Sequence, residues 1–237
     1  MKETLIRGHL GLGDGLVVNA IVRHYAQTRA VTFLAKPHNA QTLAFQWRDL
    51  DNVMIVSVTD DAVADACVKE IKKHCKETLC LGMFGEKTKY VHEKWDASMF
   101  EQAGIDHKER WNNFKCARQE NREMEPLKGK YAFVHDDPTR SIVIPPEALP
   151  MKTMKIVRPS PDMRNRNGDA GILFDYWGWL DNATEIHCID SSFAILVDHI
   201  HLPIFANKKL VLHLGLRQNE MPPARMKDFE VVKHNRL

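Results

Sequence analysis

Long apolar runs are missing from this 237-residue chain. No stretch approaches the roughly 20 consecutive apolar residues that a bilayer-spanning helix needs. The opening Met1-Lys2-Glu3-Thr4-Leu5-Ile6-Arg7 has no uninterrupted apolar segment of the kind a secretory leader carries, so the expected setting is cytoplasmic. A charge bias is also missing: 33 Lys and Arg stand against 31 Asp and Glu, a net charge of +2. That balance argues against a polybasic protein coating nucleic acid, while leaving room for a local basic pocket. Cysteine is sparse and odd in number, five in all with no C-x-x-C pair, so reduced thiols are expected rather than a disulfide frame or a zinc knot. His74-Cys75 could be half of a metal site, but nothing upstream completes it. Internal repeats and low-complexity tracts are absent too, which excludes solenoids and linkers.

The remainder is ordinary globular composition, 44% hydrophobic and 27% charged, in a length that suits one large domain or two small ones. In the first half, strand-like and helix-like segments alternate. Thr4–Arg7 is followed by a glycine turn over 8–13. A helical pattern then runs from Asp14 to about Arg29, with Asp14 as the natural N-cap. Strands are expected over Val31–Ala35, Val53–Val58 and Leu79–Met83, with helices from Pro37 to about Trp47 and from Asp60 or Asp61 to about His74. This alternation predicts parallel βαβ units. Residues 86–125 break the rhythm with Trp95, Phe100 and Trp111 and a charged stretch, Arg118–Glu125. A domain boundary is expected there, dividing 1–125 from 126–237.

The second half predicts strands at Tyr131–His135, Ser141–Ile144, Met154–Val157, Glu185–Ile189 and Lys209–His213. Helices are expected around Phe174–Leu180 and over Ser192–Ile200, and the proline-rich tail should form a loop and a short strand. The expected fold class is therefore α/β, two Rossmann-like domains facing a cleft in a compact version. Ligands in such sheets bind beyond the carboxyl ends of strands, so the loops after strands carry the candidate chemistry.

The first such loop, Gly8–Gly15, fails the dinucleotide fingerprint because Leu16 stands where glycine or alanine is needed, and it has no Walker lysine. It is either a turn demanded by close packing or an anion-binding helix start. Asp14 would repel a phosphate and suits general-base work on a hydroxyl better. The second loop is His135-Asp136-Asp137-Pro138-Thr139-Arg140. Its acidic pair resembles a metal chelate, but the flanking histidine and arginine suit phosphate or ribose better. The third is Asp190-Ser191-Ser192-Phe193, either an ordinary capping cluster or a clamp for a diphosphate. Lys155–Asn167, with Lys155, Arg158, Arg164 and Arg166 against the single acid Asp162, adds local positive charge. Asp49 and Asp51 read as a solvated turn.

Several pieces together resemble a known family: Gly11-Leu-Gly-Asp14, Gln102-Ala-Gly-Ile105, Arg110-Trp111-x-x-Phe114 and Tyr131-x-Phe-Val-His-Asp-Asp-Pro138. To these are added Phe174-Asp-Tyr176, Asn182-Ala-x-Glu-Ile-His-Cys-Ile-Asp-Ser-Ser-Phe193 and the run Leu210-Val-Leu-His-Leu-Gly-Leu-Arg217. The set is similar to the two-domain (GT-B-type) glycosyltransferase-like proteins of bacterial and phage polysaccharide clusters, and more distantly to heptosyltransferases and fucosyltransferases. The resemblance implies transfer of a sugar from a nucleotide-diphosphate donor to a carbohydrate acceptor, with no metal and no further cofactor. It implies Asp14 as catalytic base, with His9, Gly11 and Gly13 on the acceptor-side loop. Donor binding passes to His135, Arg140, Arg158, Asp190, Ser191, Ser192, Phe193, His213 and Arg217. A sugar-nucleotide epimerase of the same fold and a non-catalytic nucleotide- or sugar-binding module remain alternatives. A nicotinamide-dependent oxidoreductase is disfavoured by Leu16.

Overall fold

The computed structural model describes residues 2–74, 77–160, 162–200, 208–218 and 220–234. Cys75, and with it the His74-Cys75 pair, lies outside them. The chain divides into two units, Met1–Ala117 and Arg118–Leu237.

The first unit is built on a parallel sheet of β1 (Lys2–Arg7), β2 (Arg29–Ala35), β3 (Val53–Ser57) and β4 (Glu77–Cys80), in the order β3-β2-β1-β4. Consecutive residues of a strand face opposite sides, and here both sides are buried. Leu5 and Leu34 pack with Val58 and with Ala64 and Val68 of α4 (Asp61–His74), whereas Phe33 meets Trp47 with ring centroids 5.0 Å apart. Burial on both faces is what a parallel sheet with helical crossovers requires.

The helix expected to begin at Asp14 and run unbroken starts earlier and is interrupted. Gly11 is its N-cap, α1 spans Leu12–Val17, and Val18 (φ −84°, ψ 10°) separates it from α2 (Asn19–Ala26). Leu43 of α3 (Pro37–Gln46) rests on Gly15, where a Cβ would sit 2.5 Å from the leucine methyl. Gly15 therefore lets α1 and α3 approach closely, a helix–helix contact rather than the strand–helix packing that a glycine-rich turn suggests. β4 ends at Cys80, short of Met83, because the chain enters a 3-10 turn at Gly82–Phe84. After it come α5 (Trp95–Ala103) and α6 (Glu109–Asn112).

The division at Ala117/Arg118 precedes the expected one at Glu125/Pro126, and the polar contacts of the intervening segment explain it. Arg118 pairs with Glu123 and Asp181, Arg122 with Asp175 at 2.8 Å, Met124 N–H donates to the Asp175 carbonyl, and the Trp179 indole donates to the Glu125 carbonyl. All of these partners belong to the second unit.

That unit carries a second parallel sheet: β5 (Tyr131–His135), β6 (Lys155–Val157), β7 (Glu185–Ile189), β8 (Lys209–Leu214) and β9 (Glu230–Lys233), ordered β6-β5-β7-β8-β9. Ala132, Val134 and Ile189 pack with Ile144 and Leu149, while Phe133 meets Phe193 of α8 (Ser192–His199) at 5.3 Å. The helix expected around Phe174–Leu180 is a 3-10 turn, Leu173–Tyr176, running into α7 (Trp177–Asn182). Ser141–Ile144 does not form the expected strand. Ser141 is left-handed (φ 57°), Ile142 makes one isolated bridge to Asp137, and the Ile144 amide donates to the Asp136 carboxylate. Pro145 and Pro146 then follow and cannot donate to a ladder.

Candidate functional site

Each sheet has one point where the strand order reverses, the place at the carboxyl ends where sheets of this kind bind their ligands. In the first unit it lies between β1 and β4, because β2 and β3 are laid down on the opposite side of β1. At the end of β1 stands Arg7, wholly buried. Its guanidinium pairs with Asp61 (2.8 Å) and Asp65 (3.3 Å), donates to the Gly8 carbonyl, and lies 3.4 Å over the Phe84 ring. His9 packs against Phe84 with ring centroids 5.1 Å apart. Burial, and then the charge of Arg7, hold its pKa below the ordinary histidine value.

Asp14, half-buried, stands in the first turn of α1, where a carboxylate complements the positive end of the helix dipole. Its carboxylate folds back over Gly11: a Cβ added there would lie well inside van der Waals distance of Oδ2. Gly13 is half-buried beside it. The phenol of Tyr90, which the sequence reading did not single out, has its pKa raised by burial and next by the Asp14 charge. A half-buried carboxylate at this sheet end, with a phenol in its field, has the makings of a general base toward a hydroxyl.

In the second unit the reversal lies between β5 and β7. His135 ends β5, and its ring sits 4.5 Å from that of Phe193. Burial pushes its pKa down to about 4, and its Nδ1 is enclosed without a hydrogen-bond partner. Ser191 is the N-cap of α8, yet makes no side-chain cap bond, and its Oγ is likewise enclosed and unpartnered. The ordinary capping reading therefore does not account for this serine. Ser192 follows, half-buried, as the first helical residue.

Asp190 accepts from Arg225 Nη2 at 2.9 Å, and its carbonyl accepts from Arg217. Burial raises its pKa against the opposing pull of Arg225 and Arg217. Arg225 keeps two more donors, Nε and Nη1, buried and unpartnered. Leaving a buried polar group unpaired costs about 1–3 kcal/mol. Three residues carrying such groups at or beside one strand edge mark a place where a polar ligand can supply the partners.

The other expected donor residues are placed differently. Arg158 forks onto Asp136 (3.1 and 3.2 Å). Arg140 is 62% exposed on the 3-10 turn Pro138–Arg140, paired with Asp137. In the basic loop, Arg166 is occupied by the Glu120 carbonyl and Glu125. His213 lies wholly buried within β8, in a row running Glu185–His187–His213–His234 with contacts of 3.0, 3.1 and 2.9 Å. Its pKa is down at about 4, through burial and then its two histidine neighbours. Among the described residues, no group of three or more His, Cys, Asp or Glu side chains could hold a metal ion, and no helix is long and apolar enough to cross a membrane.

Arg225 was not anticipated. It sits in the tail after Met221-Pro222-Pro223-Ala224, 35 residues beyond the aspartate it meets. The only sequence signal for it is a cation set among apolar residues and prolines.

No family model matches the chain, and no curated protein matches it in sequence. Among solved structures the chain is similar to E. coli heptosyltransferase WaaC with ADP, at 10% identity and a TM-score of 0.53, covering 99% of this chain and 94% of that one. A second structure, E. coli heptosyltransferase WaaC with ADP-2-deoxy-2-fluoro heptose, aligns at 9% identity and a TM-score of 0.43, covering 99% and 93%. The first match, with the two parallel sheets, supports a distant likeness in fold to the GT-B glycosyltransferases.

Proposed function

We propose that the chain transfers a sugar from a nucleoside-diphosphate donor to a carbohydrate acceptor without a metal. The observation that carries this reading is the carboxyl end of the second sheet, where His135 Nδ1 and Ser191 Oγ are buried without partners at the opening of α8. A diphosphate offers acceptor oxygens to such groups and to the free amides of a helix start. Ser192, Asp190, Arg217 and Arg158 complete the donor side, with Phe193 beneath His135. Arg140 belongs to the reading as a more distant contributor from its exposed turn, whereas His213, buried in the sheet with both ring nitrogens engaged by His187 and His234, is left out of the donor contacts.

On the acceptor side, Asp14 takes the hydroxyl proton as the acceptor oxygen bonds to the anomeric carbon. The bond from that carbon to the diphosphate breaks, and its electron pair leaves on the phosphate oxygen. His9, Gly11 and Gly13 shape the loop that holds Asp14. Preorganised donors around the departing diphosphate supply the electrostatic stabilisation. The test is incubation with a panel of nucleotide sugars, following thermal stabilisation and, with carbohydrate acceptors present, release of the free nucleotide. The expected result is stabilisation by one nucleotide class and acceptor-dependent release. Stabilisation without release under any acceptor would leave a binding module, and release without an acceptor would favour an epimerase or hydrolase.

A further inference from the structure

Arg225 is largely enclosed, and little of its hydrogen-bonding capacity is used. Its side chain is only 11% exposed. One nitrogen, Nη2, serves Asp190, the guanidinium lies 5.8 Å from the Phe229 ring, and Nε and Nη1 are buried with no hydrogen-bond partner. A guanidinium whose sole duty was to neutralise Asp190 would be expected to present a two-nitrogen edge to the carboxylate; here Asp190 takes a single contact through Oδ1.

The segment around Arg225 is firmly anchored. Glu220 accepts from the amides of Gly215 and Arg217. The amides of Met226 and Lys227 both donate to Asp198 Oδ1, at 2.9 and 3.0 Å. The Lys227 ammonium donates to the carbonyls of Val197, Asp198 and Ile200 at 2.6, 2.9 and 2.8 Å, closing the carboxyl end of α8. Asp190, which holds the guanidinium, directly precedes Ser191, the N-cap of α8 with its own unpartnered hydroxyl. The tail is thus pinned at one end of α8 and delivers its arginine to the other.

We propose that Arg225 is the anion-gripping residue at this sheet end, donating one hydrogen bond each from Nε and Nη1, which lie on either side of the engaged Nη2, to phosphate oxygens of a bound diphosphate. The proposal deepens the donor-site reading above and rests on it for the nucleoside and the sugar, but not for the diphosphate group itself. It makes a tail arginine, rather than the exposed Arg140, the residue that distinguishes a diphosphate from an uncharged nucleoside. Because the side chain is already held in place, little ordering cost accompanies binding.

The test is titration of the full chain with ADP, UDP, GDP, inorganic pyrophosphate and adenosine, for the parent and three variants. Arg225→Lys keeps the charge beside Asp190 and loses the two further donors. The double variant Arg225→Gln with Asp190→Asn removes both charges, so that no carboxylate is left buried alone. Arg140→Ala removes the exposed arginine. Pyrophosphate and nucleoside diphosphate affinity should fall about tenfold or more in both Arg225 variants, equivalent to about 1.4 kcal/mol, and less in Arg140→Ala. Any adenosine affinity and the melting temperature of Arg225→Lys should stay at the parent's values. Unchanged pyrophosphate affinity in both Arg225 variants, with ADP or another diphosphate still bound, overturns the role of Arg225 and leaves the donor-site reading standing. Arg225-dependent pyrophosphate binding without any preference for a nucleotide supports the role and overturns the nucleotide-sugar reading. A parent that binds none of the anions overturns both.

Discussion

Acidification from about pH 7 to about pH 4 should strip the second unit of a large part of its stability, through two imidazoles that the fold keeps neutral. His135 and His213 both have their pKa pushed down to about 4, in each case chiefly by burial. The unfolded chain protonates its histidines near pH 6.5, so on acidification the unfolded state takes up these protons first. The stabilisation is complete above about pH 6.5, is lost as the pH falls toward about 4, and falls no further once the folded state also binds the protons. Each ring is worth on the order of 3 kcal/mol over that window, against a typical total of about 5–15 kcal/mol. His187, also lowered by burial, acts in the same direction; Asp181 and Asp190, raised by burial, give part of the loss back near its acidic end. The row through His213 has a structural reason to resist a proton. If Glu185 accepts the Nε2–H of His187, each further ring donates from Nε2 to the Nδ1 of the one before it, and a proton added to His213 sets N–H against N–H at one junction. Urea unfolding at a series of pH values measures the slope, and His135→Leu should remove about half of it. A stability that stays flat between pH 7 and 4 would refute the reasoning, because it would mean that these rings are either solvated or already charged in the folded chain.

Three further outcomes follow from particular contacts. Gly11→Ala should leave the melting temperature within a few degrees of the parent and nucleotide affinity unchanged, while transfer falls at least tenfold, because the new methyl displaces the Asp14 carboxylate; kinetics beside a thermal melt decides it. Tyr131→Phe removes a buried hydroxyl that donates to the Trp179 carbonyl at 2.8 Å, and urea titration should show a loss of about 1 kcal/mol. A chelator should leave nucleotide binding and transfer untouched, whereas a strict manganese requirement would point to Asp136 and Asp137 and replace the mechanism.

The frame was legible where apolar runs are cleanly bounded. Tyr131–His135 and Glu185–Ile189 form strands over the expected residues, because each is a short apolar stretch closed by a turn or a cap. Local preference misled at Asp14: aspartate is a good N-cap, but the helix starts at Leu12, three residues after His9, with Gly11 as its N-cap and Asp14 inside the first turn. Ile142 and Ile144 alternate as a strand should, yet the Asp136 carboxylate and the Asp137 backbone take their polar groups before a ladder can form. Phosphate-suited residues were recognisable by type at His135, Ser191 and Ser192. Their neighbours in space were not, since Arg225 reaches Asp190 only through the crossover that lays the tail back along α8. Arg140 drew notice because it follows a strand, and its exposure and its pairing with Asp137 could be read only from the folded chain.

The central claim, sugar transfer with Asp14 as the base, separates binding from chemistry, and one comparison tests that separation. Donor affinity and acceptor-dependent nucleotide release are measured side by side for the parent and for Asp14→Asn, with the nucleotide sugar that stabilises the parent best. The account predicts donor affinity within about twofold of the parent and release reduced at least a hundredfold, the lower range typical of a lost general base. Release at the parental rate from Asp14→Asn, with the donor bound as before, would contradict it.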